Sequence, residues 1–176
     1  MMRLPPFRFL EPSSIDEATR ILADHGPGAT TVAGGTDLYP NLKRRQSSPE
    51  TLVSLRRIED LRGIHANGAG TVIGATTVLS HVASGTGLPP ALAEAAGYVS
   101  SPQIRNVGTI GGNLCVDTRC DYINQNEEWR RAIDFCLKDR GEICWVAPRS
   151  SHCWATSSTD VAPAAIALDA RVRIAC

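Results

Sequence analysis

The cysteines of this chain are concentrated in one stretch, where Cys120, Cys136, Cys144 and Cys153 follow the spacing C-x15-C-x7-C-x8-C. Four thiolates suit either a tetrahedral zinc ion or an iron–sulfur cluster. Structural zinc sites usually contain paired C-x2-C knuckles, and this chain has none. The spacing therefore leaves three alternatives open: a cluster, a zinc site, or four unrelated buried cysteines.

Two glycine-rich turns offer a second kind of chemistry: Gly34-Gly35-Thr36, and residues 108–113, which end in Gly111-Gly112-Asn113. Each is expected to offer free backbone N–H groups and a small polar side chain, which suits an anion. One such pair alone is more typical of a tight turn. Two of them facing each other could hold a pyrophosphate from both sides, as a dinucleotide requires. Neither matches the Rossmann or P-loop fingerprint, so a Rossmann NAD domain or a P-loop ATPase is disfavoured.

The second glycine turn directly precedes the cysteine stretch. This order predicts a flavin domain with an inserted iron–sulfur cluster. The insertion is expected at about residues 117–154, in a chain divided into an N-terminal subdomain (1–57) and a second subdomain (58–176).

Composition excludes several classes of protein. The 176 residues are 43% hydrophobic and 20% charged with a net charge of zero, which gives no electrostatic reason to expect nucleic acid or an anionic membrane as partner. The sequence contains no long apolar run and no signal-peptide core. A cytoplasmic location is predicted, where thiols stay reduced and cysteines favour metal or redox chemistry over disulfides.

The hydrophobic pattern predicts alternating strands and helices. Ser14 and Glu17 form a capping-box pattern that should begin a helix ending near Gly26, and an Asn-Gly turn at residues 66–70 indicates a hairpin. Asp160 is expected to N-cap a helix. The remaining predictions are strands at 30–33, 52–55, 143–146 and 170–174, and helices at 37–43, from 76–77 onward, at 91–99, 127–137 and 160–167.

Four motifs together resemble the medium, FAD-binding subunit of the xanthine oxidase and carbon monoxide dehydrogenase family of molybdenum hydroxylases. The resemblance implies an α+β, two-subdomain FAD-binding fold, similar to that of vanillyl-alcohol oxidase, with a cysteine-rich loop insertion. The motifs are AGGTDL at 33–38, IGATT at 73–77, NVGTIGGNL at 106–114 and TDVAP at 159–163.

The resemblance also implies roles for individual residues. Two turns would hold the pyrophosphate and ribityl region of FAD, Asp160 would bond one of its hydroxyls, and the cysteines would ligate a [4Fe-4S] cluster. No residue of this chain is assigned a catalytic role. The FAD residues are Ala33, Gly34, Gly35, Thr36, Asp37, Thr109, Gly111, Gly112, Asn113 and Asp160; the cluster ligands are Cys120, Cys136, Cys144 and Cys153.

Most members of this family lack the insertion, and residues 120–154 resemble the loop of the β subunit of 4-hydroxybenzoyl-CoA reductases. This subfamily implies a molybdopterin-binding large subunit, a [2Fe-2S] small subunit and ferredoxin as electron donor, with the substrate bound elsewhere. Two alternatives stay open: an FAD subunit of another molybdenum hydroxylase, and a zinc-stapled docking module without catalysis. Family members continue into a C-terminal domain, so a fragment or a truncated gene product is expected.

Overall fold

The computed structural model describes residues 3–66, 68 and 70–175. None of the described helices is long and apolar enough to cross a membrane. Short 3-10 turns occupy Gly26–Gly28 and Glu59–Leu61. In chain order the other elements are β1 (Arg8–Leu10), α1 (Ile15–His25), β2 (Ala29–Val32), α2 (Leu38–Lys43), β3 (Thr51–Ser54), β4 (Ile64–Ala66), β5 (Thr71–Ile73), α3 (Leu79–Ser84), α4 (Pro90–Tyr98), α5 (Pro102–Arg105), α6 (Ile110–Leu114), α7 (Glu127–Ala132) and α8 (Ala162–Ala167).

The chain forms two compact units, each assembled from segments that are distant in sequence. The cysteine unit consists of Met1–Pro6, Asp37–Ser48 and Val116–Ser158. The glycine unit consists of Phe7–Thr36, Pro49–Cys115 and Thr159–Cys176. The predicted subdomains, 1–57 and 58–176, are continuous segments of the chain, whereas each of these units combines several segments. The predicted division stays a prediction.

A three-stranded parallel sheet forms one part of the glycine unit. Its strand order is β1-β3-β2, and the central β3 is fully buried. Helix α1 packs its apolar face on this sheet, bringing Ala18 against Val53 and Ile58. The helix begins as predicted, because the Ser14 hydroxyl accepts a hydrogen bond from the Glu17 N–H at 3.1 Å. The strands predicted at 30–33 and 52–55 correspond to β2 and β3, each displaced by one residue.

The second part of the glycine unit is a helical layer beside a hairpin. Strands β4 and β5 pair antiparallel, which confirms the predicted hairpin, although Asn67 and Ala69 of its turn lie outside the described residues. Helices α3, α4, α6 and the start of α8 share an apolar core that includes Leu79, Val82, Ala96 and Val161.

The prediction that α3 begins at residues 76–77 was wrong. The Thr76 and Thr77 hydroxyls donate to the carbonyls of Leu61 and Gly63 at 2.8 and 3.0 Å, so these residues stay outside the helix. Helix α3 begins only at Leu79.

The cysteine unit contains only α2 and α7 among its described residues, and turns form most of the rest. Helix α7 begins near the predicted point, capped by Asn126, but ends at Ala132 instead of residue 137. Its early end follows from Asp134 and Phe135, whose φ angles of +57° and +61° cannot continue a helix. The strand predicted at 143–146 was also wrong, since Trp145 and Val146 lie in a turn that the Ala147 N–H closes by donating to the Cys144 carbonyl at 3.0 Å.

Two predictions near the end of the chain were wrong. Asp160 does not cap α8: the N-cap position is Val161, which makes no side-chain capping bond. Residues 170–174 pair with none of the strands in the described part of the chain, and Val172 and Ile174 are exposed.

Candidate functional site

The two glycine turns contact each other within the glycine unit. A Cβ placed on Gly34 would lie 2.3 Å from the Val107 carbonyl oxygen and 2.9 Å from the Gly108 Cα, closer than real Cβ contacts allow. On the other side, a Cβ on Gly108 would lie 3.3 Å from the Thr36 hydroxyl oxygen. Only glycine at position 34 permits this approach of two backbones. The predicted turns are therefore neighbours.

The first turn differs from the second in the state of its backbone donors. Among the described residues, none accepts a hydrogen bond from the N–H groups of residues 33–36. These residues are half-buried and follow the carboxyl end of β2. Such N–H groups can donate to an anionic group of a bound ligand.

The second predicted turn runs into helix α6 and does not keep its donors free, which corrects the expectation from sequence. The N–H groups of residues 110–113 all donate within the protein. Gly111 also packs tightly, since a Cβ there would lie 2.7 Å from the Ala75 carbonyl oxygen. The bonds run from Ile110 to Thr77 O (2.9 Å), from Gly111 to Ala75 O (2.9 Å), from Gly112 to Thr109 Oγ1 (3.1 Å) and from Asn113 to Thr109 O (2.9 Å).

Asn113 and Asp160, two predicted site residues that are 47 positions apart in the chain, are hydrogen-bonded to each other. The side-chain amide Nδ2 of Asn113 donates to Asp160 Oδ2 at 2.9 Å. Its Oδ1 accepts from the Thr159 hydroxyl at 2.9 Å and from the Val161 N–H at 3.1 Å. Asn113 thus fastens the loop before α8 to the second turn, and Asp160 remains exposed beside it.

Asp37 is held by residues of the cysteine unit. Its carboxylate pairs with the Arg119 guanidinium and accepts from the Asn41 amide at 2.9 Å. Arg119 immediately precedes Cys120 in the chain. The predicted cofactor residue Asp37 is therefore a partner of the segment that bears the first cysteine.

All four predicted cluster ligands line one cavity in the cysteine unit. Cys136 and Cys144 are buried, Cys120 is half-buried and Cys153 is exposed, and all four are free thiols. The free space between them is about 10 Å³, room for roughly one water molecule. The other lining residues are Tyr122, Ile123, Leu137, Lys138, Trp145, Val146 and Ala155.

Backbone hydrogen bonds fasten the segments that carry these cysteines to each other. Arg119 and Thr156 exchange bonds of 2.7 and 3.0 Å, which join the flanks of Cys120 and Cys153. The Leu137 N–H donates to the Ile143 carbonyl at 2.8 Å, which joins the flanks of the other two cysteines. The convergence therefore comes from the fold of the chain around the cavity.

Two of the thiols accept backbone hydrogen bonds. Donation from the N–H groups of Trp154, Ala147 and Val146 outweighs burial and lowers the pKa of Cys144 below its usual range. The Ala155 N–H lies 3.4 Å from Cys153 Sγ. The donors to Cys144 favour its thiolate, the form that binds metal. Within the described ranges, however, no group of three or more His, Cys, Asp or Glu side chains is arranged to hold a metal ion.

Comparison with known proteins shows the family to which this chain belongs. A family model described as FAD binding domain in molybdopterin dehydrogenase matches residues 5–176. The chain belongs to this family.

The relatives of this FAD-binding domain include subunits of several dehydrogenases. It is 42% identical over 113 residues to the carbon monoxide dehydrogenase medium chain of Hydrogenophaga pseudoflava, covering 62% of this chain and 39% of that protein. It is 39% identical over 116 residues to subunit alpha of the 6-hydroxypseudooxynicotine dehydrogenase complex of Paenarthrobacter nicotinovorans, covering 64% and 39%. The chain thus spans about two-fifths of the length of these relatives.

Solved structures confirm the predicted fold class. The carbon monoxide dehydrogenase of Hydrogenophaga pseudoflava, in a form lacking the Mo-pyranopterin moiety of its cofactor, superposes with a TM-score of 0.63 at 42% identity. Quinoline 2-oxidoreductase of Pseudomonas putida 86 superposes with a TM-score of 0.61 at 32% identity. Both matches cover 64% of this chain and 40% of the other. The chain therefore has the FAD-binding fold of the molybdenum hydroxylase medium subunit.

Sequence reasoning missed the structural role of Arg130, which lies at the centre of a buried polar network in this FAD-binding domain. The Arg130 side chain is buried to 1% exposure and forms an ion pair with Asp139 at 3.0 Å. Its guanidinium also donates to the carbonyls of Arg44, Arg45 and Gln125. The Asp139 N–H in turn donates to the Cys136 carbonyl at 2.9 Å. An arginine on a short polar helix is typical of a solvated face, so the sequence carries no signal for this role.

Proposed function

We propose that this FAD-binding domain belongs to a molybdenum hydroxylase of the 4-hydroxybenzoyl-CoA reductase type and carries electrons between a [4Fe-4S] cluster and FAD. The observation that carries this proposal is the convergence of Cys120, Cys136, Cys144 and Cys153 on one cavity in a chain of this family. The spacing alone left zinc and unrelated cysteines open. Four free thiols at a single cavity favour a shared ligand over unrelated burial.

FAD would be held mainly by the first glycine turn. The N–H groups of residues 33–36, which have no partner among the described residues, would donate to the pyrophosphate. The second turn would act as a packed wall behind it, because its own donors are used internally. Asp160, held in place by Asn113, would accept from a hydroxyl of the cofactor. Asp37 would contribute by fixing the start of α2.

The donor set of the cavity fits an iron–sulfur cluster by its chemistry. Cluster irons are bound by thiolates, and hydrogen bonds to sulfur adjust the reduction potential. The N–H groups directed at Cys144 and Cys153 supply such bonds. A [4Fe-4S] cluster, when bound, would supply one-electron transfer. The apolar side chains of Ile123, Leu137 and Trp145 would exclude water from it.

The proposed partners are a molybdopterin-binding large subunit, a [2Fe-2S] small subunit and ferredoxin as donor. Relatives named as a medium chain and as an FAD-subunit support a place within a larger assembly. In the reductase, electrons would pass from ferredoxin through this chain toward the partners, where the phenolic hydroxyl of 4-hydroxybenzoyl-CoA is removed. This chain would not contact that substrate.

The decisive experiment is anaerobic reconstitution of the full chain with FAD, ferrous iron and sulfide. We expect a flavin spectrum, broad iron–sulfur absorption and about four irons per chain, as one four-cysteine cluster requires. Cys136→Ser should lose the iron and keep FAD. Cys115→Ser is the matched control, because Cys115 belongs to the glycine unit and does not line the cavity. Zinc without iron in the purified chain would contradict the cluster and favour the stapled docking module.

A second candidate is an FAD subunit of another molybdenum hydroxylase, with cysteines that serve only packing. The identity to carbon monoxide dehydrogenase medium chains favours it. In that case Cys136→Ser leaves electron transfer from ferredoxin to FAD unchanged. Under the first candidate the same substitution abolishes that transfer while FAD stays bound.

A further inference from the structure

Lys138 is the only Lys, Arg, Asp or Glu among the described residues that line the cysteine cavity. The remaining lining side chains are cysteines, aromatic residues and aliphatic residues. The Lys138 ammonium group is fixed in place, since Nζ donates to Asp117 Oδ1 at 2.8 Å and to Thr118 Oγ1 at 2.7 Å. Thr118 stands two residues before Cys120, and Lys138 stands two residues after Cys136.

The two charges of this ion pair differ in their contact with water. The side chain of Lys138 is 20% exposed, whereas that of Asp117 is 73% exposed. Water and salt screen the exposed carboxylate more strongly than the largely covered ammonium. The cavity therefore experiences a net positive potential from the pair, even though its formal charges cancel.

We propose that Lys138 and Asp117 set the reduction potential of the cluster in this cavity, Lys138 raising it and Asp117 lowering it by a smaller amount. The inference rests on the proposed function, because it requires an iron–sulfur cluster on the four cysteines. Reduction adds one negative charge to such a cluster. A fixed positive charge on an apolar wall stabilises the reduced form more than the oxidised form.

A structural role for the pair predicts a different pattern. The hydrogen bond between Lys138 and Asp117 ties the flank of Cys120 to the flank of Cys136. Removing either partner breaks the same tether, so a purely structural effect has the same sign in both variants. An electrostatic effect has opposite signs, because the two substitutions remove opposite charges.

The test is a redox titration of four reconstituted proteins: the unaltered chain, Lys138→Gln, Asp117→Asn and the double variant. We expect Lys138→Gln to lower the midpoint potential and Asp117→Asn to raise it by less. The double variant should lie between Lys138→Gln and the unaltered chain. The larger shift is expected to reach about tenfold in the equilibrium constant for reduction, which is ~59 mV for a one-electron couple.

Control variants use a second ion pair of the same unit. Arg131 and Glu127 lie 3.3 Å apart, and neither lines the cavity. Arg131→Gln and Glu127→Gln should leave the potential unchanged. Lys138→Arg, which keeps the charge, should restore most of the potential lost in Lys138→Gln.

The outcomes separate the inference from the proposed function. Shifts of the same sign in both single variants, or no shift in Lys138→Gln, overturn the role of the pair while the cluster stands. An unaltered chain that binds no iron overturns both proposals. Unfolding midpoints of the iron-free proteins give a readout without the cluster, and we expect both single variants to fall by similar amounts because they break one tether.

Discussion

The glycine unit offers backbone groups for binding, whereas the cysteine unit offers side chains. In the glycine unit the backbone supplies the binding groups: Gly34 lies against Val107, and the N–H groups that have no partner among the described residues follow β2. In the cysteine unit four side chains converge from turns that only a few backbone bonds fasten together. The first site should therefore fail when a side chain is added, and the second when one is removed.

The sources of stability differ in the same way. The glycine unit has two apolar clusters, one under α1 and one among α3, α4, α6 and α8. In the cysteine unit the largest fully buried side chain is a charged one, Arg130. A polar network at the centre of a unit rigidifies it when every partner is satisfied and costs most when one is lost.

Arg130→Ala should cause the largest loss of stability in the cysteine unit. It leaves the half-buried Asp139 carboxylate and several carbonyls without their donor, and breaking a buried ion pair from one side costs about 3–5 kcal/mol. Arg131→Ala, next to it on α7 but 72% exposed, should cost under about 0.5 kcal/mol. Chemical denaturation of the iron-free proteins measures both. Equal losses in the two variants would mean that the network is not what holds this unit.

Gly34→Ala tests the glycine unit by adding a single methyl group. Its Cβ would meet the Val107 carbonyl at 2.3 Å, so the two turns must separate, at a cost of about 1–3 kcal/mol. We expect FAD affinity to fall together with stability, as measured by flavin fluorescence titration. Gly97→Ala on α4 is the control, because its Cβ would meet nothing nearer than 3.8 Å. The comparison fails if Gly34→Ala binds FAD as tightly as the Gly97 variant.

Asn113→Ala should have a smaller effect, because it removes hydrogen bonds and leaves the contact between the turns intact. The loss of its bonds to Thr159, Asp160 and Val161 should cost ~1–2 kcal/mol. We expect weaker FAD binding through a mobile Asp160. Asn106→Ala, at an exposed position, should change neither property. If Asn113→Ala weakens FAD binding without loosening residues 159–161 in hydrogen exchange, direct contact between Asn113 and FAD explains the result better.

Sequence patterns predicted features that depend on nearby residues. The cap at Ser14, the hairpin and the first glycine turn each follow from residues within a few positions, and all were found. The cysteines were also found to converge, although their spacing could not choose a ligand. Local chemistry was sufficient here because no distant partner competes for the same groups.

Two of the failures have one cause, which is competition from residues distant in sequence. Asp160 has a side chain suited to N-capping, but its carboxylate accepts a hydrogen bond from the Asn113 amide instead. The second glycine turn looked open, yet Thr77 and Ala75 accept two of its N–H groups. Neither set of partners can be read from local spacing. The segment 143–146 fails for a local reason instead: it has strand-like composition, but the Ala147 N–H donates to the Cys144 carbonyl and closes a turn.

The smallest expected effect is the pH dependence of the Asp117 pair. Partial burial raises the pKa of Asp117, but hydrogen bonds from Lys138 and Thr118 outweigh it, so the folded-state pKa lies below the usual value. A lowered carboxyl pKa adds stability that is present above the unfolded-state pKa, about 4, and is lost as the pH falls through the folded-state pKa. The unfolding midpoint of the iron-free chain should therefore exceed that of Asp117→Asn at pH 6, and the difference should shrink below about pH 4. A difference that stays constant from pH 6 to pH 3 would mean that the hydrogen bond, and not the charge, holds Lys138 at the cavity wall.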